Sequence, residues 1–125
     1  MTKEDVQCIL VYLGDIQEKK KALRFELECE VCREKRRDEA VQQLALLDQD
    51  DAVIRAGLDY IHSRHRKVLM QRYVGRYSWT KIATQMGASE ATAKRHGAKA
   101  IARLAQSFGC EVMEKVLERA KAGKI

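Results

Sequence analysis

No proline occurs in the 125 residues, and the seven glycines stand singly at Gly14, Gly57, Gly75, Gly87, Gly97, Gly109 and Gly123. Proline removes a helical hydrogen bond and clashes with the preceding turn, so its absence lets helices run long. The stretch between Gly14 and Gly57 carries no residue that interrupts a helix by its backbone alone. A chain of this length holds one core, or a small domain with an appended helical element. The expectation is an all-α protein.

Apolar spacing agrees. After Thr2, a candidate N-cap followed by Glu4 and Asp5, apolar side chains recur with helical period at Val6, Ile9, Leu10, Leu13, Ile16, Leu23, Leu27 and Val31. Lys19 to Lys21 interrupt the stripe, and Glu26, Glu28, Glu30, Arg33, Glu34, Arg36, Arg37 and Asp38 supply a charged outer face. The N-terminal helices therefore read as long and amphipathic, hairpin or coiled-coil-like, packing on each other or on a partner. A second series, Val41, Leu44, Leu46 and Leu47, runs into Asp48-Gln49-Asp50-Asp51. Such a polar cluster suits a turn or an N-cap, so a new helix is expected to begin there. It carries Val53, Ile54, Leu58 and Ile61, with Gly57 and Ser63 as candidate breaks before Val68, Leu69 and Tyr73. After Gly109, Val112, Met113, Val116 and Leu117 mark a short helix that either covers the core or docks a partner, with a frayed end from Lys121 to Ile125. The reading divides the chain into a helical oligomerisation or interaction segment at 1–60, a module at 61–109, and a C-terminal helix and tail at 110–125.

The segment from Ser78 to His96 has the parts of a helix-turn-helix. Ser78 caps a short helix with Trp79, Ile82, Ala83 and Met86 on one face, and Ala83 is small where two helices cross. Gly87 suits the left-handed conformation that ends that helix. Ser89 caps the next helix, whose inward face is Ala93, Gly97, Ala100, Ile101 and Leu104 and whose first turns expose Glu90, Ala91, Lys94 and Arg95. Charge supports the same place. Residues 1–60 hold ten Lys and Arg against fourteen Asp and Glu, whereas residues 61–125 hold fourteen against four. Between Ile61 and Gly109 the only acid is Glu90, against ten cations, a net +9 that suits a phosphate backbone better than a small substrate.

Arg66 to Val74, followed by the segment from Trp79 to Leu104, resembles the region 4 domain of bacterial sigma factors. More narrowly it is similar to the small phage and prophage regulators of the ArpU and RinA kind, in which helices precede such a module. The matching residues are Val68, Leu69, Arg72 and Tyr73, then Ile82, Ala83, Gly87 and Ser89, then Thr92, Lys94, Ala100 and Leu104. The resemblance implies that the last helix enters the major groove of double-stranded DNA. It departs at Ala93, where the family has Val or Ile, and at Gly97, where it has Leu or Val; both shrink the inner face, which tighter packing or compensation by Trp79 would accommodate, and failing that the recognition helix is expected to be lightly anchored.

In that geometry Lys94 and Arg95 are candidates for guanine edges, Glu90 for a cytosine amine, and Ala91 for base contact beside them. Arg72, Arg76, Tyr77, Thr80, Lys81, Ser89 and Lys99 are the expected phosphate contacts. The expected function is sequence-specific regulation of transcription of phage or mobile-element genes near RNA polymerase, by a cytoplasmic homodimer joined through its N-terminal helices. Competing readings are a phage small terminase subunit and a sigma-like adaptor that binds polymerase or another protein without reading DNA. No enzyme is expected, since paired carboxylates, a phosphate-cradling loop and a nucleophile motif are all missing. No cofactor, membrane span or disulfide is expected. A zinc site from Cys29, Cys32, His62 and His65 is the less favoured reading of those four residues, because the spacing is unlike a zinc finger and His65 lies among cations. His96 either borders the recognition face or packs beneath it, with no catalytic role.

Overall fold

The computed structural model describes residues 1–29 and 34–123. Its helices are α1 (Lys3–Glu28), α2 (Glu34–Leu58), α3 (Ser63–Leu69), α4 (Trp79–Met86), α5 (Glu90–Ser107) and α6 (Glu111–Ala122), and one π-helical turn, Met70–Val74, continues α3. The all-α expectation holds, with no strand among the described residues. Thr2 begins α1 as expected: its hydroxyl accepts from the Asp5 amide at 3.1 Å while the Asp5 carboxylate accepts from the Thr2 amide at 3.3 Å. This reciprocal pairing satisfies two of the amides a helix start leaves unbonded.

The expected break at Asp48 to Asp51 does not occur. α2 runs through it unbroken, and Asp50 and Asp51 are buried. The Asp50 carboxylate accepts from the Tyr12 hydroxyl of α1 at 2.7 Å and from Nε of Arg119 on α6 at 2.9 Å. Asp51 accepts from Lys20 at 3.0 Å and from Arg55 at 2.6 Å, and Lys20 also reaches Asp48 at 2.6 Å. An acidic cluster favours a turn when water solvates it; here partners on two other helices take that role and the backbone stays helical. Lys20, which breaks the apolar stripe in sequence, is likewise buried, aimed at these acids. The pairings Tyr12 with Asp50, Lys20 with Asp48 and Asp51, and Glu26 with Arg36 fix α1 and α2 as an antiparallel hairpin.

Val6, Ile9, Leu10, Leu13, Ile16 and Leu23 form the buried stripe of α1, in one core with Ile54 and Leu58 of α2, Ala100, Ile101 and Leu104 of α5, Phe108, and Met113 and Val116 of α6. The stripe is thus covered by the chain's own helices, and α6 caps the core. Rather than fraying, Lys121 lies within α6 and pairs with Asp5 at 3.3 Å; residues 124 and 125, like Glu30, Val31, Cys32 and Arg33, lie outside the described residues. The chain leaves the helical path at Asp59 to Ile61 and restarts at α3, where Nδ1 of His62 accepts from the Arg64 amide at 3.1 Å. The π-helical turn was not legible in the sequence. It sits against α1 at Gly14, where a β-carbon would collide with the Tyr73 carbonyl.

A smaller core of Val68, Ile82, Ala83 and Ala93, flanked by Tyr77, Trp79 and Met86, holds α3, α4 and α5 together. The two small residues on the inner face of α5 find their explanation here. A β-carbon on Gly97 would lie 2.7 Å from Cη2 of Trp79, so the indole fills the space that a larger side chain would take. Arg72 lies over the same indole, its guanidinium carbon 5.1 Å from the ring centre.

Asp50→Ala leaves Tyr12 and Arg119 without their shared acceptor and should lower the unfolding free energy by about 3 kcal/mol, against at most about 1 kcal/mol for half-exposed Asp48→Ala, both read by urea denaturation. Burial opposes the charge on Asp51, but the bonds from Arg55 and Lys20 hold its carboxyl below the ordinary 3.8, so its stabilisation is present above that pH and lost as pH falls through the lowered value. Gly97→Ala gains about 1 kcal/mol of helix propensity but forces the indole out of place at about 1 to 3 kcal/mol, so net destabilisation is expected in thermal melts. Trp79→Ala combined with Gly97→Leu should recover part of the loss that either change causes alone.

Candidate nucleic-acid interface

The turn between α4 and α5 is built by local chemistry. The Ser78 hydroxyl accepts from the Lys81 amide at 3.2 Å, Gly87 stands at φ 68° and ψ 34°, and the Ser89 hydroxyl accepts from the Thr92 amide at 3.2 Å. Each residue does what its type and position predict, and the left-handed Gly87 ends α4 while its amide and that of Ala88 close the last carbonyls. Ala93, Gly97, Ala100, Ile101 and Leu104 are the buried face of α5. Glu90, Ala91, Lys94 and Arg95 are all exposed.

Within that exposed group the charges are partly matched. Glu90 accepts from Lys94 at 3.2 Å and from the Thr80 hydroxyl of α4 at 3.3 Å. Arg95 makes no ion pair among the described residues and projects from the same two turns. The single acid of the module therefore ties the recognition helix to the start of α4 and leaves Arg95 as the unmatched cation beside it.

The residues expected to touch phosphate divide into two groups. Thr80, Lys81, Ser89 and Lys99 are exposed, and Lys81 lies 3.9 Å from the ring centre of half-buried Tyr77. Arg72 and Arg76 also have partners within the chain. Arg72 stacks on Trp79 and donates to the Tyr77 carbonyl at 3.1 Å. Arg76 adopts φ 56° and pairs with Asp15 at 3.0 Å and Glu18 at 3.2 Å on α1. A positive φ is costly for a residue with a β-carbon, by roughly 1 to 2 kcal/mol, and the two acids help to hold it there.

The other side of α5 faces a histidine group that the sequence reading did not bring together. The His65 ring lies edge-on between His62, 6.2 Å away, and His96, 5.4 Å away. His62, Arg64 and Lys67 of the α3 end line one cleft with Gln85, Thr92 and His96. The signal was present: His96, Lys99 and Arg103 recur at helical spacing on one stripe of α5, facing the pair His62 and His65 at i and i+3. What the sequence could not supply is that α3 lies against that stripe. Burial, and then His96, His62, Lys99 and Arg103, hold the His65 imidazole below its ordinary value of 6.5. His62 and His65 thus group with His96, whereas Cys29 stands at the end of α1 and Cys32 lies outside the described residues. Among the described residues no three His, Cys, Asp or Glu are arranged to hold a metal ion, and Cys8, Cys29 and Cys110 are free thiols.

No helix among the described residues is long and apolar enough to cross a membrane. No curated protein and no solved structure was found to match the chain. Residues 57–106 match the family model of sigma-70 region 4. That span contains α3, the π-helical turn, α4 and nearly all of α5, the elements that form the capped turn and the exposed recognition face. Residues 57–106 are a sigma-70 region 4-like helix-turn-helix of the DNA-binding kind.

Proposed function

We propose that this protein regulates transcription by binding double-stranded DNA sequence-specifically and catalyses no reaction. The observation that carries the reading is the capped Ser78–Gly87–Ser89 turn presenting Glu90, Ala91, Lys94 and Arg95 from a segment of net charge +9. The start of α5 lies in the major groove, with Arg95 and Lys94 on guanine edges and Glu90, when Lys94 swings to a base, free to accept from cytosine. Thr80, Lys81 and the α4 and α5 amides near Ser78 and Ser89 grip the backbone on the α4 side. The setting suggested by the resemblance is a phage or mobile-element gene in the bacterial cytoplasm, with RNA polymerase bound nearby.

One module contacts few bases, so two copies acting together suit specific binding. With the α1 stripe covered inside the chain, a surface suited to a second copy is the outer side of α2, where Val41 is 52% and Leu46 59% exposed among uncharged Gln42, Ala45, Gln49 and Ala52. Sedimentation should give a dimer that Val41→Asp with Leu46→Asp reduces to monomer; a wild-type monomer at all concentrations would sink this part.

Selection of bound duplexes from a random pool should yield a defined site. Arg95→Ala and Lys94→Ala should each lose about 1 to 3 kcal/mol of discrimination at one base pair, and affinity should fall with salt at a log–log slope no shallower than about −3. Pool members bound without any shared sequence would remove sequence-specific readout, and Lys94→Glu with Arg95→Glu leaving function intact would favour the adaptor reading instead.

A further inference from the structure

The site of DNA contact has two flanks, and the histidine cluster occupies the one that no expected contact except Lys99 serves. On the α4 flank stand Thr80, Lys81 and the Glu90–Lys94 pair; on the α3 flank stand Arg64, Lys67, Lys99 and Arg103 around His62, His65 and His96. Every charged or titratable group facing the three imidazoles is a cation or another histidine. From the start of α3 they are His62, Arg64 and Lys67; from α5, His96, Lys99 and Arg103. The π-helical turn and α4 present Gln71 and Gln85, hydrogen-bonded to each other at 2.6 Å and uncharged. Asp59, which precedes the cluster in sequence, is held by Arg66 at 2.6 Å.

A set of imidazoles ringed by cations, not arranged to hold a metal ion, is well suited to a phosphodiester. Nδ1 of His96 is buried with no hydrogen-bond partner, so the cluster also contains a ring nitrogen left unsatisfied in the free protein. Adding a proton to the His65 ring in the free protein is opposed by its burial and by the surrounding cations. A phosphate laid along the ledge reverses that opposition, since it attracts the same proton and accepts a charge-assisted hydrogen bond from it.

We propose that the α3 flank of the recognition helix is a second phosphate-binding ledge, and that its three histidines together take up protons when DNA lies across it. The inference rests on the DNA-binding reading above and adds a proton to the binding equilibrium. The sign is fixed by the chemistry. Protons that enter only in the complex make binding tighter as pH falls, by up to tenfold per pH unit for each proton taken up. In the free protein the same cluster acts in the opposite direction: the lowered value for His65 means that stability is fully present above 6.5 and declines as pH falls below it.

The test uses the full chain and a selected duplex of about three helical turns, with anisotropy titrations at fixed salt at about pH 8 and about pH 6. Wild-type affinity should rise at least about tenfold between the two. His65→Gln with His96→Gln, checked for folding by circular dichroism, should reduce that gain to about twofold or less. His62→Asn keeps an acceptor for the Arg64 amide and should shrink the gain in a chain whose core is untouched. Lys67→Gln with Arg103→Gln should make the salt slope shallower by about two. Arg95→Ala should weaken binding at both pH values and leave the gain unchanged. Wild-type binding that is indifferent to pH, or a full gain retained by the folded histidine variants, overturns the ledge while the DNA reading stands. Failure of any duplex to bind at either pH overturns both.

Discussion

Asp50 is the residue on which the arrangement of the N-terminal half depends. Its carboxylate lies 3% exposed at the meeting of three helices, bonded to Tyr12 of α1 and Arg119 of α6. Taking such a charge out of water is unfavourable by several kcal/mol, and the two donors little more than offset it. The pairing is therefore a weak source of net stability and a strong source of register. Sliding α1 along α2 by one turn would leave Asp50 unbonded in an apolar interior, and Lys20 would lose Asp48 and Asp51 at the same step. A purely apolar hairpin of similar length would tolerate that slip far better. Burial also pushes the Tyr12 hydroxyl up, and the adjacent carboxylate adds to the effect, so the phenol remains a donor throughout the physiological range.

The register of α1 then places the DNA-binding module. α1 packs on the π-helical turn and on α5, through Gly14 at the Tyr73 carbonyl and through the shared core with Ala100, Ile101 and Leu104. Arg76 adds a polar tie at the surface, joining the end of the turn to Asp15 and Glu18. The recognition helix is consequently anchored at two places: its first half by Trp79 over Gly97, its second half by the N-terminal helices. This answers the question raised by its small inner face, because Ala93 and Gly97 are matched to an indole on α4 and the helix is not loosely held.

What was legible in the sequence and what was not divides by the range of the interaction. Ser78, Gly87 and Ser89 act on backbone within three residues of themselves, so residue type and spacing sufficed to place the turn and both helix starts. The charged segment was legible for the same reason, as net charge needs no contacts. The acidic cluster Asp48 to Asp51 was misread because its partners Tyr12, Lys20 and Arg119 lie 28 to 69 residues away in sequence, and a polar run without visible partners resembles a turn. The partners of Arg72 and Arg76, the indole of Trp79 and the carboxylates of α1, were not legible for the same reason.

The charge division of the chain gains a physical role from this layout. Residues 1–60 carry a net −4 and residues 61–125 a net +10, yet both halves share one core. The acids of α1 and α2 are thus held at a fixed place relative to the recognition helix, and two of them, Asp15 and Glu18, already pair with Arg76 of the module. A polyanion approaching the molecule meets repulsion on the hairpin side and attraction on the side of α3, α4 and α5, so the field orients the encounter before any base is touched. The acidic hairpin therefore confines the cationic face to the strip between Lys81 and Arg103, and leaves the outer side of α2, with Val41 and Leu46 exposed, turned to solvent.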